Sequence, residues 1–459
     1  MENDRLPLKV KLGFGVCDVG GSLFFTVIAF WLLNFLTDTV LIAPSLAGTI
    51  ILVGRIWDAV TDPMFGYVSD RTTSRWGRRR PYMLFGSVPL FLFMIVMFTN
   101  PILFMGPGWD PASHQVLLCI WGVAALCLLN TAFTSVNIPY NALTPEMTRN
   151  YHERTSLNGY RFTFAVFGMF LGSGLVLPLV NIPASKNVGF VLMAAILGAV
   201  MMITALITVG IVREPMTERP APTAGFFRTY LHVFTNGPYV LILLAWTFHT
   251  MAITVVSGIL VYYFKYIHLA EEKTTLALLI FLGVAVAVIP LSVLLSRRIG
   301  KKAVYIIGML TLSLVVMTVF LLAHDRPVGF TFAMMVGAGI GMGLIYPMPF
   351  SIVPDAIEYD YLKTGRRNEG AFYGIWTFLT KVGQALAIGV MGWTLSLSGF
   401  IANQTQAESA ILGIRILVGP VTTLFFLFGV LVLAFYPITE KRYAEILSAI
   451  DRMESEQTK

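Results

Sequence analysis

Two acidic residues, four positions apart in an apolar stretch, are the part of this sequence best suited to chemistry. Asp58 and Asp62 lie in the string ILVGRIWDAVTDPMFGYVSD. On a helix, residues at this spacing share one face, with their Cβ atoms roughly 5–6 Å apart. Two anions held so close in a medium of low dielectric constant repel each other, so they should share a proton, bind a metal cation or pair with a base. The spacing therefore predicts a cation-binding site.

The stretch that holds these acids has the composition of a membrane span. Of the 459 residues, 56% are hydrophobic and only 12% are charged, about half the charged fraction of a soluble protein. A helix needs about 20 apolar residues to cross a bilayer. Twelve segments are long enough, near residues 11–36, 45–68, 82–98, 116–133, 157–179, 190–212, 239–266, 275–295, 303–322, 329–345, 371–397 and 411–435. We therefore predict an all-α membrane protein with twelve transmembrane helices.

The spans form two sets of six with a polar stretch between them. We predict an N-terminal half (1–212), a cytoplasmic linker (213–238), a C-terminal half (239–437) and a cytoplasmic tail (438–459). Basic residues collect in alternate loops, as in DRTTSRWGRRRP after the second span and SRRIGKK after the eighth. The positive-inside rule places these loops and both termini in the cytoplasm of a plasma-membrane protein. Because topology accounts for the formal net charge of +7, we expect no nucleic-acid partner.

Several loop and span motifs resemble those of a known transporter family. Gly66-x-x-x-Asp70-Arg71 followed by Gly77-Arg78-Arg79 resembles the inner-loop signature of the major facilitator superfamily. The strings RIWDAVTDPMFGYVSDRTTSRWGRRRP, NIPYNALTPEMTRNYHERTSLNGYR and PDAIEYDYLK, together with the span around Lys381, resemble the glycoside-pentoside-hexuronide cation symporters. The resemblance runs along the whole chain in order. It implies the twelve-helix facilitator fold, built from two six-helix halves.

The resemblance implies that Asp58 and Asp62 bind the coupling cation, and that they are the metal ligands if this cation is sodium. In that family a residue just before the second acid and a hydroxyl from the fourth span complete the site, here Thr61 and Thr134. Thr61 replaces an asparagine found in a well-known member. A poorer set of oxygen ligands favours protons, which need only a carboxylate whose pKa is raised by burial. Sodium and proton coupling therefore both stay open.

Two bases are candidates for coupling the cation to transport. Arg55 precedes Asp58 by three residues and Asp62 by seven, so it shares their helix face and could neutralise one of them. Lys381 lies near the middle of the eleventh span, too deep for its ammonium to reach the interface easily. The resemblance implies that this lysine senses whether the acid pair is occupied, whereas a purely structural counter-ion is the alternative.

The residues that would bind substrate match the family less well. The resemblance places Ser22 and Asn137 where family members have acids, and it retains an arginine at Arg161. The guanidinium of Arg161 suits hydroxyls, carboxylates or sulfonates. Asp18, four residues before Ser22, could replace a missing acid or could serve helix packing. This set would accept an anionic sugar, such as a glycuronide, more easily.

Trp376 and Thr377 precede Lys381 by five and four residues and could line the transport cavity. A tryptophan face stacks well on a sugar ring, although tryptophans in membrane proteins often pack or anchor instead.

Charged residues near the predicted inner ends of the spans suggest a gate that holds the outward-facing state. The acids of the tenth span would pair with bases of the loops after the second and fourth spans. The predicted gate residues are Asp70, Arg71, Arg78, Arg149, Asp355 and Glu358.

The sequence thus predicts a symporter that imports a glycoside or related solute with sodium or a proton, by alternating access. Within transport, the alternatives are a lysophospholipid symporter of the same fold and an uncoupled facilitator. We expect no enzyme, because no nucleophile and base are paired in the sequence, and no nucleotide-binding loop occurs. We expect a monomer in membrane lipid that has a small-molecule substrate and needs no cofactor beyond the coupling ion.

Overall fold

A computed structural model describes residues 6–72, 74–105, 109–147, 151–213, 232–365 and 369–457. The regular elements within these ranges are all helical. The first six long helices are α1 (Leu8–Thr39), α2 (Pro44–Arg71), α3 (Arg80–Met97), α4 (Gln115–Met147), α5 (Tyr151–Gly174) and α6 (Lys186–Ile211). The remaining helices are α7 (Gly237–Ile267), α8 (Lys273–Ile299), α9 (Lys301–Leu322), α10 (Val328–Thr364), α11 (Glu369–Leu397), α12 (Glu408–Ala434) and the tail helix α13 (Glu440–Gln457).

Ten segments in the described part of the chain are long and apolar enough to cross a membrane. Helices α2 and α5 are also long but more polar, and they lie where the sequence predicts the second and fifth spans. In α2 the extra polarity comes partly from Arg55, Asp58 and Asp62. The predicted all-α membrane fold is therefore confirmed.

The helices belong to two compact units. The first unit consists of Met1–Arg219, Ala270–Leu276 and Ile388–Ala410, and the second consists of Pro220–Leu269, Ala277–Ala387 and Ile411–Lys459. Most of the predicted linker, residues 213–238, lies outside the described residues.

In the first unit, α1 packs against α5 and α6, α2 against α4, and α3 against α4 and α6. Glycines allow some of these helices to approach closely. A Cβ atom added to Gly168 of α5 would lie 2.2 Å from the carbonyl oxygen of Val19 in α1. Nearby, the ring of Phe24 stacks on that of Phe133, with centroids 3.9 Å apart. The α1–α5 interface therefore depends on the absence of a side chain at Gly168.

In the second unit, α7 packs against α12, and α9 packs against both α10 and α12. The core contains the large buried side chains of Tyr239, Tyr305 and Phe372. The hydroxyl of Tyr239 donates to the carbonyl oxygen of Phe372 over 2.5 Å, so even the buried phenol has a partner.

Large apolar side chains also cover the outer faces of several helices. Phe85 and Leu92 on α3 are 62% and 50% exposed, and Leu314 on α9 is 70% exposed. Apolar surface of this kind is unfavourable in water and suits lipid. The outward faces thus agree with a multi-pass membrane protein.

The close α1–α5 contact can be tested by adding one methyl group. We expect Gly168→Ala to lower the thermal unfolding midpoint of the detergent-purified protein, since overpacking a tight contact costs about 1–3 kcal/mol. The control is Gly159→Ala in the same helix, where an added Cβ atom would meet nothing within 4 Å. The control should leave the midpoint unchanged or raise it, because alanine favours helix more than glycine does. Equal effects of the two substitutions would contradict the packing argument.

Candidate functional site

Helix α2 presents both acids to α4. The Oγ1 atom of Thr134, on α4, lies 2.9 Å from Oδ1 of Asp58 and 3.0 Å from Oδ1 of Asp62. A hydroxyl has one proton, so Thr134 can donate to only one carboxylate at a time. A second short contact is favourable if the other acid is protonated or if a cation lies between the oxygens. The predicted combination of Asp58, Asp62 and Thr134 is thus brought together in the structure.

The acid pair lies in a buried environment. Asp58 is 4% exposed and Thr134 is 1% exposed, and Arg55 and Thr61 are also buried. Arg55 interacts electrostatically with both Asp58 and Asp62. Arg55 by itself can balance the charge of only one of the two acids when both are ionised. A proton or a monovalent cation would neutralise this cluster.

Backbone features add oxygen atoms near the acids. Pro63, directly after Asp62, has no N–H group, so the carbonyl oxygen of Ala59 lacks its usual partner within α2. The hydroxyl of Thr61 donates to the carbonyl oxygen of Asp58 over 3.3 Å and retains its lone pairs as acceptors. Carboxylate, hydroxyl and carbonyl oxygens are ligands for hard cations.

Two contacts between α2 and α4 fix the position of the acid pair. The side-chain amide of Asn130 donates to the carbonyl oxygen of Gly54 over 2.8 Å, one turn before Asp58. The indole N–H of Trp57 donates to Oγ1 of Thr131 over 2.9 Å. No sequence pattern singles out Asn130, because its role depends on which helix packs against α2.

The candidate ligands at this site are all oxygen atoms, which do not suit soft metal ions. Among the residues that the structure describes, no group of three or more His, Cys, Asp or Glu side chains could hold a metal ion. The oxygen set of the acid pair and Thr134 fits a monovalent hard cation or a proton.

A second polar cluster in the first unit centres on Arg161 of α5. Its Nε atom lies 2.7 Å from Oδ2 of Asp18, and its Nη2 atom lies 3.1 Å from Oδ1. The hydroxyl of Tyr140 donates to Asp18 over 2.5 Å, and the guanidinium stacks 4.7 Å from the centre of the tyrosine ring. Asp18 therefore forms a bidentate ion pair with Arg161, a partner that sequence analysis did not name.

The remaining donors of Arg161 reach α4. Nη1 donates to Thr144 over 2.8 Å, and Nη2 donates to the side-chain oxygen of Asn141 over 2.7 Å. The amide of Asn141 in turn donates to Asn137 over 3.2 Å. Asn137 is thus joined to Arg161 through Asn141. Ser22 is partly exposed on α1, four residues after Asp18.

The aromatic candidate lies in the second unit. Trp376 of α11 is 6% exposed, and its ring stacks on Trp246 of α7 with centroids 5.1 Å apart. The indole N–H of Trp246 donates to Thr380 over 2.7 Å. Trp246 therefore covers one face of Trp376. Thr377 is exposed, and Lys381 is partly buried one turn further along α11.

The predicted gate residues are only partly described. Lys301, at the start of α9, contacts both carboxylate oxygens of Asp355 at 2.9 and 2.7 Å, so the observed partner of Asp355 is a base of its own unit. Arg78 and Glu358 are partly buried. Arg149 lies outside the described residues, as do the side chains of Asp70 and Arg71, although both belong to α2.

Comparison with known proteins identifies the family. The family model described as MFS/sugar transport protein matches residues 13–440. The chain belongs to this family. Its members are transporters, so the prediction that the chain is not an enzyme is confirmed, as is the resemblance to the glycoside-pentoside-hexuronide cation symporters.

This MFS chain is similar over nearly its whole length to curated transporters. A glucuronide carrier protein homolog of Escherichia coli is 29% identical, with 98% of this chain and 96% of the relative covered. A sodium-dependent lysophosphatidylcholine symporter of Danio rerio is 26% identical, with 91% and 83% covered. Among solved structures, a D-xylose–proton symporter matches with a TM-score of 0.65 at 15% identity, covering 94% of this chain and 96% of the other. This last likeness concerns the fold alone.

The Asp18–Arg161 pair of this MFS chain generates a stability prediction. Asp18→Asn removes the counter-charge of a guanidinium that is 17% exposed, and breaking such a pair costs about 3–5 kcal/mol. The double variant Asp18→Asn/Arg161→Gln removes both charges and should recover much of this loss. Thermal unfolding of the four proteins in detergent gives the coupling energy. Additive effects would contradict the ion pair's role.

Proposed function

We propose that this protein is a cation-coupled symporter that imports a glycoside or a related sugar across the plasma membrane, with both termini in the cytoplasm. Membership in a sugar transport family supports the transport activity. The observation that carries the coupling is the buried pair of Asp58 and Asp62, with the hydroxyl of Thr134 in contact with both acids.

The coupling cation is sodium or a proton, and it acts by neutralising the acid pair. A negative cluster buried at membrane depth is unfavourable, at about 2.5–3.5 kcal/mol for a central charge even on insertion scales. Binding of the cation removes this cost. In our proposal, Lys381 senses whether the cation occupies the acid pair. This response links occupancy of the site to alternating access.

For the substrate, we propose that hydroxyl groups bind near the cluster of Arg161, Asn137 and Asn141. The bidentate ion pair of Arg161 and Asp18 has no net charge as a whole, which supports a neutral glycoside. An anionic sugar would require Arg161 to exchange Asp18 for the carboxylate of the substrate. Because the chain is similar to a glucuronide carrier protein homolog, glycuronides are included in the same binding test.

A lysophospholipid is the second candidate substrate. The similarity to a sodium-dependent lysophosphatidylcholine symporter favours it. Such a substrate needs a large apolar surface beside its polar head group. The polar cluster around Arg161 favours the sugar.

Calorimetric binding to the purified protein tests the proposal. Neutral glycosides, glycuronides and a lysophosphatidylcholine would be titrated with and without sodium chloride over a range of pH. We expect sodium or acid pH to strengthen sugar binding, and Asp58→Cys to abolish that effect. The control is Asp110→Asn, which removes an exposed acid from a loop.

Each other result would revise a particular part of the proposal. Sugar binding whose affinity depends on neither sodium nor pH would overturn coupling and indicate a facilitator. Binding of the lysolipid alone would overturn the sugar and leave the cation site intact. Sugar binding strengthened by low pH but not by sodium would assign proton coupling.

The hydroxyl between the acids generates a further prediction. Thr134→Val preserves shape but removes the hydroxyl oxygen that would coordinate sodium together with the two carboxylates, and a polar contact to a charged group contributes about 1.5–3 kcal/mol. For sodium coupling we therefore expect the affinity for the ion to fall about ten- to a hundredfold. For proton coupling, loss of the donor to the carboxylates should instead raise the proton affinity of the acid pair. The matched control is Ser135→Ala, because the hydroxyl of Ser135 donates to the carbonyl oxygen of Ala132 in its own helix. Comparable losses in both variants would argue against a ligand role for Thr134.

A further inference from the structure

A large cavity lies at one end of the second unit, and it is lined by none of the residues proposed to bind the cation or the substrate, although the predicted gate residue Asp355 does line it. Its volume is about 1030 Å³, and its walls come from the end of α8, the start of α9, the middle of α10 and the start of the tail helix α13. We call it the basic cavity. Helices α8 and α9 both cross the membrane and meet at this end, so the cavity lies where two spans reach the membrane surface.

The cavity wall carries an excess of positive charge. Its basic residues are Arg297, Arg298, Lys301, Lys302 and Lys441, against the acids Asp355 and Glu440. The α8–α9 turn belongs to the loops that the positive-inside rule assigns to the cytoplasm. The cavity would therefore face the anionic leaflet of a bacterial or eukaryotic plasma membrane.

Two of these bases link the helices that form the cavity wall. Lys301 binds Asp355 at 2.7 Å, and its ammonium lies 5.4 Å from the ring centre of Tyr443 in α13. Lys302 donates to the carbonyl oxygens of Ala434 and Tyr436 at 2.6 and 3.0 Å. These carbonyls lie at the C-terminal end of α12 and just beyond it, where backbone acceptors lack helical partners. Lys301 and Lys302 thus join α9 to α10, α12 and the tail.

The other three bases are available for a ligand. Arg297, Arg298 and Lys441 are exposed, and within the described ranges none of them forms an ion pair or a side-chain hydrogen bond. Two guanidiniums and an ammonium around one cavity match the oxygens of a phosphate group. Gly300, the residue before α9, has no side chain to cap the first amides of that helix, and it also lines the cavity.

Apolar side chains complete the wall beside the charges. Ile299 is 45% exposed, and Ile306 and Ile438 also line the cavity. A site for a free inorganic anion needs no such surface, whereas a lipid has glycerol and acyl groups to place against it. The combination of phosphate-binding charges and apolar surface at the level of the membrane surface favours a phospholipid.

The tail helix forms one side of this cavity and packs against the core of the second unit. Ile446 and Ile450 of α13 are buried in the core of the second unit. Burial raises the pKa of the Tyr443 phenol, and the nearby negative charges of Asp355 and Glu358 raise it further, so this side chain stays neutral near pH 7. A ligand bound in the cavity would contact α8, α9 and the docked tail together.

From these features we propose that the basic cavity binds the phosphate group of an anionic phospholipid, and that this lipid fastens the tail helix to the second unit. Arg297, Arg298 and Lys441 contact the phosphate. The isoleucine side chains contact the apolar part of the lipid. The site is separate from substrate and cation binding, so the proposal does not depend on the identity of either.

Thermal unfolding with short-chain lipids tests this site. The purified protein, in uncharged detergent, would be titrated with dihexanoyl phosphatidylglycerol, dihexanoyl phosphatidylcholine or inorganic pyrophosphate. We expect phosphatidylglycerol to raise the unfolding midpoint and phosphatidylcholine to have little effect. In Arg297→Gln/Arg298→Gln, the half-saturating concentration of phosphatidylglycerol should rise about tenfold or more, since each basic residue near an anionic lipid contributes substantially to binding.

The control variant removes the same charge elsewhere. Lys9→Gln/Arg452→Gln replaces two exposed bases outside the cavity, and it should respond to phosphatidylglycerol as the unaltered protein does. An equal shift with pyrophosphate would support the phosphate site and assign it to soluble anions instead of lipid. The proposal is overturned if phosphatidylcholine stabilises as strongly, if phosphatidylglycerol has no effect, or if both double variants weaken binding equally.

Discussion

The cost of placing ionised groups inside apolar helices is the constraint on which this structure depends. Water is scarce at membrane depth, so each charge needs a partner from a neighbouring helix. The acids of α2 meet the hydroxyl of Thr134, Asp18 meets Arg161, and Asp355 meets Lys301. Each pair joins two helices, and each therefore fixes both a charge and an interface.

Close helix packing makes these pairings geometrically feasible. A Cβ atom on Gly15 of α1 would lie 3.3 Å from the backbone nitrogen of Arg161, so α5 approaches α1 where the arginine must reach Asp18. Gly168 continues the same interface two turns along α5. In α2, the absence of a side chain at Gly54 lets the amide of Asn130 reach the carbonyl oxygen of Gly54, one turn before Asp58. Small residues thus set the distances over which the charged groups interact.

The two polar clusters of the first unit have different electrostatics, which suits different ligands. In the acid pair, Arg55 by itself balances only one of the two carboxylates, which suits binding of a cation or a proton. The cluster around Arg161 is neutral and rich in donors and acceptors, which suits a solute with many hydroxyl groups. The second unit contributes the stacked pair Trp246 and Trp376, as well as the basic cavity beside the tail helix.

The sequence by itself determined the membrane class, the positions of the spans and the shared face of Asp58 and Asp62, because hydropathy and helical periodicity are local properties. Its resemblance to known symporters predicted Thr134 as part of the cation site, and the structure places the hydroxyl of Thr134 against both acids. Only the tertiary structure decided the partners of Asp18, Asp355 and Trp376, and it revealed Tyr140 and Asn130. These contacts join residues far apart in the chain, and they depend on how each helix is rotated and shifted against its neighbour. Local sequence patterns do not encode that rotation.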